Sequence, residues 1–181
     1  MERLRSAEQV HEAIDRLFDL VDSQLPPKAA LAVIGIRTRG EILARRLVEL
    51  LREKRDQLIE YGVLDITFYR DDLSLRKGMP LVRATEIDFD LAGKVVLLVD
   101  DVLMTGRSVR AAMDALVDFG RPRAIRLAVL VDRGGRELPI AADFVGERLD
   151  VDPTARIQVH LTERDGDDGV FLVLGGRRRG K

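Results

Sequence analysis

The 181-residue sequence has the length of one domain of ordinary size, which is enough to bury a core without disulfides or a structural metal. It contains no cysteine, which excludes disulfide scaffolds, thiolate zinc sites, iron–sulfur clusters and a cysteine nucleophile. The 30 Lys and Arg residues balance 31 Asp and Glu residues, so the net charge of -1 predicts no general affinity for nucleic acid.

Both ends of the sequence carry charged segments. The first residues lead into a charged amphipathic stretch, and no apolar run approaches membrane-spanning length, so we expect a cytoplasmic protein with no membrane segment. The last residues follow Gly175 and Gly176 and are rich in arginine. We therefore expect a single domain over residues 1–174 and a disordered basic tail over residues 175–181.

The first third of the sequence predicts a helix, a strand and a second helix. Ser6 and Gln9 form a capping-box pattern, and apolar residues recur at helical spacing behind them until Pro26 stops the helix. Residues 30–36 are a short apolar run and predict a buried strand. Residues 41–55 return to a helical pattern.

The middle of the sequence predicts further strands around a long polar stretch. Residues 63–69 are rich in β-formers and predict a strand, and the polar residues 70–93 predict a functional flap or a β-hairpin arm. Residues 95–99 are apolar at every position, as expected for a central parallel strand that is covered on both faces. A helical pattern at residues 109–117 and an apolar run at residues 125–131 follow.

Strands that alternate with helices predict an α/β domain with a doubly wound, mostly parallel sheet. The remaining apolar runs, at residues 144–145, 157–161 and 170–174, are short, and we expect them to add smaller β elements to the same sheet. The polar residues 165–169 predict a hairpin turn.

Ligands of such sheets bind beyond the carboxyl ends of the strands, which directs attention to the loops at residues 37–40, 100–108 and 132–136. In the second loop a strand leads into a helix, so free backbone N–H groups and the positive helix end point at one place. Such a place suits a phosphate. The adjacent carboxylates of Asp100 and Asp101 repel an anion unless a cation or hydrogen-bond donors intervene, and a magnesium ion and a ribose diol supply both.

The string over residues 95–108, Val-Val-Leu-Leu-Val-Asp-Asp-Val-Leu-Met-Thr-Gly-Arg-Ser, resembles the phosphoribosyl pyrophosphate (PRPP) fingerprint of type I phosphoribosyltransferases. Residues 64–73, 113–122 and 127–134 further resemble the PyrR family of pyrimidine regulatory proteins. Members of that family bind pyrimidine-operon leader RNA, catalyse uracil phosphoribosyl transfer, or do both. The resemblance covers about residues 30–145.

The resemblance implies a small β hood, a flexible flap over residues 70–83 and a role for each loop. Asp100 and Asp101 would hold the ribose hydroxyls or magnesium, the 105–108 segment would bind the 5-phosphate, and Arg39 would bind pyrophosphate. The implied catalytic residues are Asp100, Asp101 and Arg39. The implied substrate-binding residues are Thr38, Arg39, Gly40, Arg70, Asp100, Asp101, Val102, Leu103, Met104, Thr105, Gly106, Arg107, Ser108, Val131, Asp132 and Arg133.

Three positions depart from the family pattern. Met104 stands where relatives usually carry Tyr, Ser108 where they usually carry Thr, and Gly135 where they often carry His. The first two preserve phosphate binding, because it depends on backbone groups and on a hydroxyl that Ser retains. Gly135 changes the hood.

The sequence thus predicts a uracil phosphoribosyltransferase that uses Mg²⁺, uracil and PRPP, yields UMP and forms a homodimer or higher homo-oligomer. Two alternatives stay open, a purine phosphoribosyltransferase and a UMP-sensing RNA-binding regulator. We expect leader-RNA binding to be weak, because the first helix presents Asp15, Asp19 and Asp22 where phosphates would approach.

Overall fold

A computed structural model describes residues 1–67 and 85–173. The predicted flap over residues 70–83, which includes Arg70, and the predicted basic tail lie outside these ranges. The strands are β1 (Glu2–Arg5), β2 (Leu31–Ile36), β3 (Ile59–Leu64), β4 (Val95–Leu103), β5 (Ala124–Asp132), β6 (Phe144–Arg148), β7 (Arg156–His160) and β8 (Gly169–Val173). The α-helices are α1 (Ala7–Gln24), α2 (Arg39–Lys54), α3 (Arg107–Leu116) and α4 (Thr162–Asp165).

The core of the fold is a five-stranded parallel sheet in the order β3-β2-β4-β5-β6. Successive residues of its strands point to opposite faces, so Val33 and Leu97 pack with α1 and α2, while Ile34 and Leu98 pack with α3. Both faces are therefore buried, as the unbroken apolar run in β4 predicts. The predicted doubly wound α/β class is confirmed.

Helix α1 begins with the predicted capping box. The Ser6 hydroxyl accepts a hydrogen bond from the Gln9 backbone N–H at 3.3 Å, and the Ser6 N–H donates to Gln9 Oε1 at 3.0 Å. The apolar face of the helix buries Leu17 and Val21 completely. The helix ends just before the two prolines, where the sequence predicts its end.

The last short strands correct the sequence-based prediction. Strand β6 joins the parallel sheet as expected, but β7 and β8 form a separate antiparallel sheet with β1 in the order β1-β8-β7. The prediction failed because β1 is a four-residue segment with three charged side chains, which gives no strand pattern. This second sheet is the small β hood that the resemblance implied.

Two strand boundaries also differ from the predicted ones. Strand β3 covers Ile59–Leu64 and so begins and ends earlier than the predicted strand at residues 63–69. Strand β4 continues past its apolar run to Leu103, because Asp100 and Val102 remain paired with β5. The acidic pair therefore lies within the end of a strand, which restricts its backbone more than a loop would.

The connection between β7 and β8 is anchored to α2 by buried charges. The sequence predicts a hairpin turn at residues 165–169, and the structure has this hairpin with the short helix α4 forming the first part of the connection. The Asp168 carboxylate is 2% exposed and accepts two hydrogen bonds from the Arg46 guanidinium, at 2.7 and 2.9 Å. The N–H and hydroxyl of Thr162 also donate to it, at 2.7 and 2.8 Å. Burial alone would raise the pKa of Asp168, but these donors outweigh it and lower the pKa to about 2.

Replacing Asp168 with Asn is expected to lower the free energy of unfolding at pH 7 by on the order of 2 kcal/mol, from the difference between a pKa of about 2 and the ordinary 3.8. Because the folded pKa is depressed, this stabilisation is present above about pH 4 and is lost as the pH falls towards 2. Urea denaturation at pH 7, 4 and 2.5 would measure it. Asp167→Asn on the same turn is the control, since the Asp167 side chain is 44% exposed. Equal stability of the two variants at pH 7 would contradict the prediction.

Within residues 1–67 and 85–173, none of the helices combines the length and apolar character needed to cross a bilayer. The single domain over residues 1–174 stays a prediction.

Candidate active site

The starts of α2 and α3 and the ends of β4 and β5 meet at one edge of the parallel sheet. Helix α2 and strand β4 approach closely at Gly40, where an added Cβ would lie 2.5 Å from the Val99 carbonyl oxygen and 3.1 Å from the Asp100 Cα. Glycine is required here because only backbone fits between the two elements. This contact brings the predicted pyrophosphate loop, Thr38 to Gly40, beside the acidic pair.

Asp100 and Asp101 lie at the centre of this edge. Asp100 Oδ1 accepts a hydrogen bond from the Asp101 N–H, and Asp101 Oδ1 accepts one from the Val102 N–H, both at 2.9 Å. Burial raises the pKa of the Asp101 carboxyl, while its hydrogen bond with Asp100 and the nearby Arg39 guanidinium act in the opposite direction. A cation or hydroxyl donors beside the pair would therefore offset the electrostatic cost of ionising Asp101.

The segment after β4 encloses a small cavity at the start of α3. The cavity has a volume of about 60 Å³, and Gly106, with φ of 88°, turns the chain into the helix. The N–H groups in the first turn of an α-helix have no partner within the helix, and that of Arg107 donates to Thr105 Oγ1 at 3.3 Å. The lining residues are Asp100, Val102, Leu103, Met104, Thr105, Gly106, Ser108 and Val109. Apart from Val109, all of these were predicted from the sequence.

The loop after β5, at residues 132–138, is hydrogen-bonded directly to the segment that lines this cavity. Arg136 pairs with Asp132 at 2.7 Å and donates to the Met104 carbonyl oxygen at 3.0 Å. The backbone N–H groups of Glu137 and Leu138 both donate to the Thr105 carbonyl oxygen. The lining of the cavity and the loop after β5 are therefore one hydrogen-bonded unit, and Arg136, which the sequence-based site omitted, is a main link within it.

Val131, Asp132 and Arg133, which the resemblance implies as substrate-binding residues, differ in the groups that they present to the cleft. The Asp132 carboxylate lies at the end of β5 and pairs with Arg136. Val131 is 1% exposed and belongs to the core, and the buried Arg133 guanidinium donates to the carbonyl oxygens of Ala155 and Asp152. The Val131 side chain thus packs in the core and the Arg133 side chain stabilises the segment before β7, and their predicted substrate contacts stay predictions.

Two of the departures from the family pattern, Met104 and Gly135, lie beside each other. A Cβ added to Gly135 would lie 3.6 Å from Met104 Cγ and 3.9 Å from Met104 Cε. The Met104 side chain therefore fills space beside a hood position without a side chain of its own. The two positions belong to one packing unit, although 31 residues separate them in the sequence.

The loop at residues 37–40 presents two arginines. Arg37 pairs with Glu41 at 3.2 Å and with Glu86 at 2.7 Å, and the peptide bond between Arg37 and Thr38 is cis. Arg39 makes a bidentate contact with Asp165, with Nε to Oδ2 at 3.1 Å and Nη2 to Oδ1 at 2.9 Å. Asp165 was interpreted from the sequence only as part of a turn, because nothing local relates it to a residue 126 positions away.

Within residues 1–67 and 85–173, no three acidic or histidine side chains converge in the manner of a metal site built by protein alone. Among the described residues at the cleft, Asp100 and Asp101 carry carboxylates at the end of β4, and the Asp132 carboxylate at the end of β5 pairs with Arg136.

The comparisons with known proteins agree with this architecture. The chain matches the phosphoribosyl transferase domain family over residues 2–163, so its fold is that of a phosphoribosyltransferase domain. It is 49% identical to the bifunctional protein PyrR of Roseiflexus sp. (strain RS-1), over 94% of each chain. It is 50% identical to that of Deinococcus radiodurans, over 92% of this chain and 91% of the relative. The chain belongs to the PyrR family.

Solved structures support the fold. The hypoxanthine phosphoribosyltransferase of Trypanosoma cruzi superposes with a TM-score of 0.67 at 17% identity, over 97% of this chain and 98% of that one. A hypoxanthine phosphoribosyltransferase of Staphylococcus aureus gives a TM-score of 0.63 at 18% identity, over 83% and 79%. At these identities the likeness concerns the arrangement of strands and helices alone.

Proposed function

We propose that the protein is a uracil phosphoribosyltransferase, which forms UMP and pyrophosphate from uracil and PRPP. The observation that carries the proposal is the cavity at the start of α3, placed directly after the carboxylates of Asp100 and Asp101. It combines a phosphate cradle with acceptors for ribose hydroxyls. Membership of the PyrR family supports uracil as the base.

In this reaction the bond between ribose C1 and the pyrophosphate oxygen breaks, and the leaving group keeps the electron pair. Uracil N1 forms the new bond to C1 and loses its proton. The cradle from Thr105 to Ser108 binds the 5-phosphate, Asp100 and Asp101 orient the ribose, and Arg39 neutralises the leaving group. The hood positions the base beside C1. Binding and orientation are therefore the main contributions of the protein.

The acidic pair also fits a magnesium ion. Carboxylate oxygens are ligands that Mg²⁺ prefers, and it is commonly held by one or two carboxylates together with substrate phosphates. Asp100 and Asp101 would hold it, directly or through PRPP and water. The ion would supply positive charge to the pyrophosphate, and it would offset the cost of the buried Asp101 charge.

A panel of nucleobases tests the proposal. Uracil, hypoxanthine, guanine and adenine are each incubated with the protein, PRPP and magnesium, and pyrophosphate release is measured. We expect release with uracil and none above background with the purines. Release with a purine alone would establish the purine alternative, and no release with any base, although UMP binds, would favour the regulator.

A second candidate function is RNA-binding regulation, which the word "bifunctional" in the names of the relatives favours. The structure changes the argument that carboxylates on α1 repel RNA phosphates. Asp15 and Asp19 are exposed on α1, but Lys54 and Arg55 pair with Asp22 at 2.7 and 2.8 Å. Two of the three carboxylates thus remain to repel phosphates on this face.

We therefore expect weak binding of pyrimidine-operon leader RNA, with catalysis as the primary activity. The measurement is a titration of leader RNA at physiological salt, with and without UMP, with a scrambled RNA as the control. Weak binding that ignores sequence and disappears with added salt agrees with the prediction. Tight binding that UMP strengthens would make regulation the main role.

We also propose a cytoplasmic homodimer or higher homo-oligomer. Light scattering on the purified protein tests the oligomeric state, and a monomer across the working concentration range would contradict it.

A further inference from the structure

The first arginine of α2 is held by a carboxylate from the hood. Arg39 and Asp165 are mostly buried, with side chains 21% and 13% exposed. Two parallel N–H···O contacts join them, which fix the plane of the guanidinium as well as its position. An arginine side chain otherwise loses substantial rotamer freedom when it binds a ligand. The contact therefore removes that freedom before any ligand arrives.

Asp165 is itself fixed by groups other than Arg39. Its Oδ2 accepts a hydrogen bond from the Leu161 N–H at 3.0 Å, which closes the turn around the carboxylate. Two turns along α2 from Arg39, the Arg46 guanidinium holds Asp168 of the same connection. Burial would raise the pKa of Asp165, but the donors lower it, so the carboxylate is charged at neutral pH. Asp165 is thus a rigid support.

The contact leaves Arg39 able to bind a second anion. A guanidinium carries five N–H donors, and the bidentate contact uses one on Nε and one on Nη2. The edge formed by Nη1 and Nη2 has the geometry for another bidentate contact with phosphate oxygens.

The Arg39 guanidinium that Asp165 holds also lies near the carboxylates of Asp100 and Asp101. The start of α2 touches the end of β4 at Gly40 and Asp100. Arg39 is close enough to Asp101 to oppose the rise in the pKa of that carboxyl. Asp165 therefore holds Arg39 beside the reaction centre.

We infer that Asp165 is a positioning residue, which holds the Arg39 guanidinium ready to bind the pyrophosphate of PRPP. The inference rests on the proposed function and deepens it, because it assigns a role to a residue of the β7–β8 connection.

The test compares the binding of two ligands by titration calorimetry. Pyrophosphate with magnesium would contact Arg39, whereas UMP carries no pyrophosphate and would not. We expect Asp165→Asn to weaken pyrophosphate binding on the order of tenfold, the effect of losing a charge-assisted hydrogen bond, and to leave UMP binding unchanged. Turnover should fall, with the KM for uracil unchanged.

Glu163→Gln is the matched control. Glu163 lies in the same connection and pairs with Arg46 at 2.6 Å, so its loss loosens the hairpin without removing the partner of Arg39. Both ligands should bind this variant as they bind the wild type. Equal weakening of UMP and pyrophosphate by Asp165→Asn would mean a general structural role and would overturn the inference.

A double-mutant cycle adds a second measurement. If Asp165 acts through Arg39, Asp165→Asn should cause no further loss of pyrophosphate affinity in a protein that already carries Arg39→Gln. Additive losses in the double variant would overturn the inference. Tighter pyrophosphate binding by Asp165→Asn alone would also overturn it, because Asp165 would then compete with pyrophosphate for the Arg39 guanidinium. A wild-type protein that binds neither UMP nor pyrophosphate would overturn the proposed function together with the inference.

Discussion

Asp101→Asn is expected to lower uracil turnover on the order of 100-fold or more, because the ribose or its metal loses a charged partner where the reaction takes place. The fold should persist. Asn keeps the Oδ1 acceptor for the Val102 N–H, and the change removes a half-buried carboxyl whose pKa is raised by burial. The melting temperature should therefore equal or exceed that of the wild type.

The measurement is uracil-dependent release of pyrophosphate, with the melting temperature recorded on the same samples. Asp114→Asn serves as the control, because it makes the same chemical change on the exposed side of α3, where the Asp114 side chain is 58% exposed. Unchanged turnover in Asp101→Asn would remove Asp101 from the active site. Lost turnover with a much lower melting temperature would show a structural role instead.

Gly40→Ala is expected to reduce both stability and turnover. Its Cβ would lie 2.5 Å from the Val99 carbonyl oxygen, so the start of α2 must move away from β4. Overpacking of this kind costs about 3 kcal/mol, since backbone lies on both sides of the contact. The shift also displaces Arg39 from the acidic pair, and small misplacements in a site reduce rates on the order of 100-fold.

Urea denaturation and pyrophosphate release would measure the two effects of Gly40→Ala. The control is Glu49→Ala, which introduces alanine on the exposed side of the same helix. A Gly40→Ala protein with wild-type stability and turnover would show that the contact between α2 and β4 is not needed.

The parts of the fold that the sequence predicts are those with a local cause. The capping box of α1 and the apolar runs of β2, β4 and β5 involve neighbouring residues only, and the structure confirms them. The pairing of β1 with β8 joins residues about 165 positions apart through a charged segment, and no local pattern announces it. Propensity describes single elements and leaves such pairing undetermined.

The same distinction applies to the candidate site. The segment from Asp100 to Ser108 could be predicted, because a strand, an acidic pair and a helix start follow one another in the sequence. The roles of Arg136 and Asp165 depend on hydrogen bonds to distant partners, which require the tertiary structure. The substrate contact of Arg133 was implied by the family resemblance and stays a prediction, while its side chain donates to the carbonyl oxygens of Ala155 and Asp152.

The pairing of β1 with β8 has a consequence for synthesis on the ribosome. A nascent chain that has emerged up to residue 150 already contains all five strands of the parallel sheet and the phosphate cradle. It still lacks Asp165, and the strand at residues 2–5 has no partner until residues 169–173 emerge. The core can thus fold during translation, since domains gain structure as their segments appear. Asp165 can contact Arg39 only once residue 165 has emerged, so a chain truncated at residue 150 would keep the segment from Asp100 to Ser108 but lack the carboxylate that holds the Arg39 guanidinium.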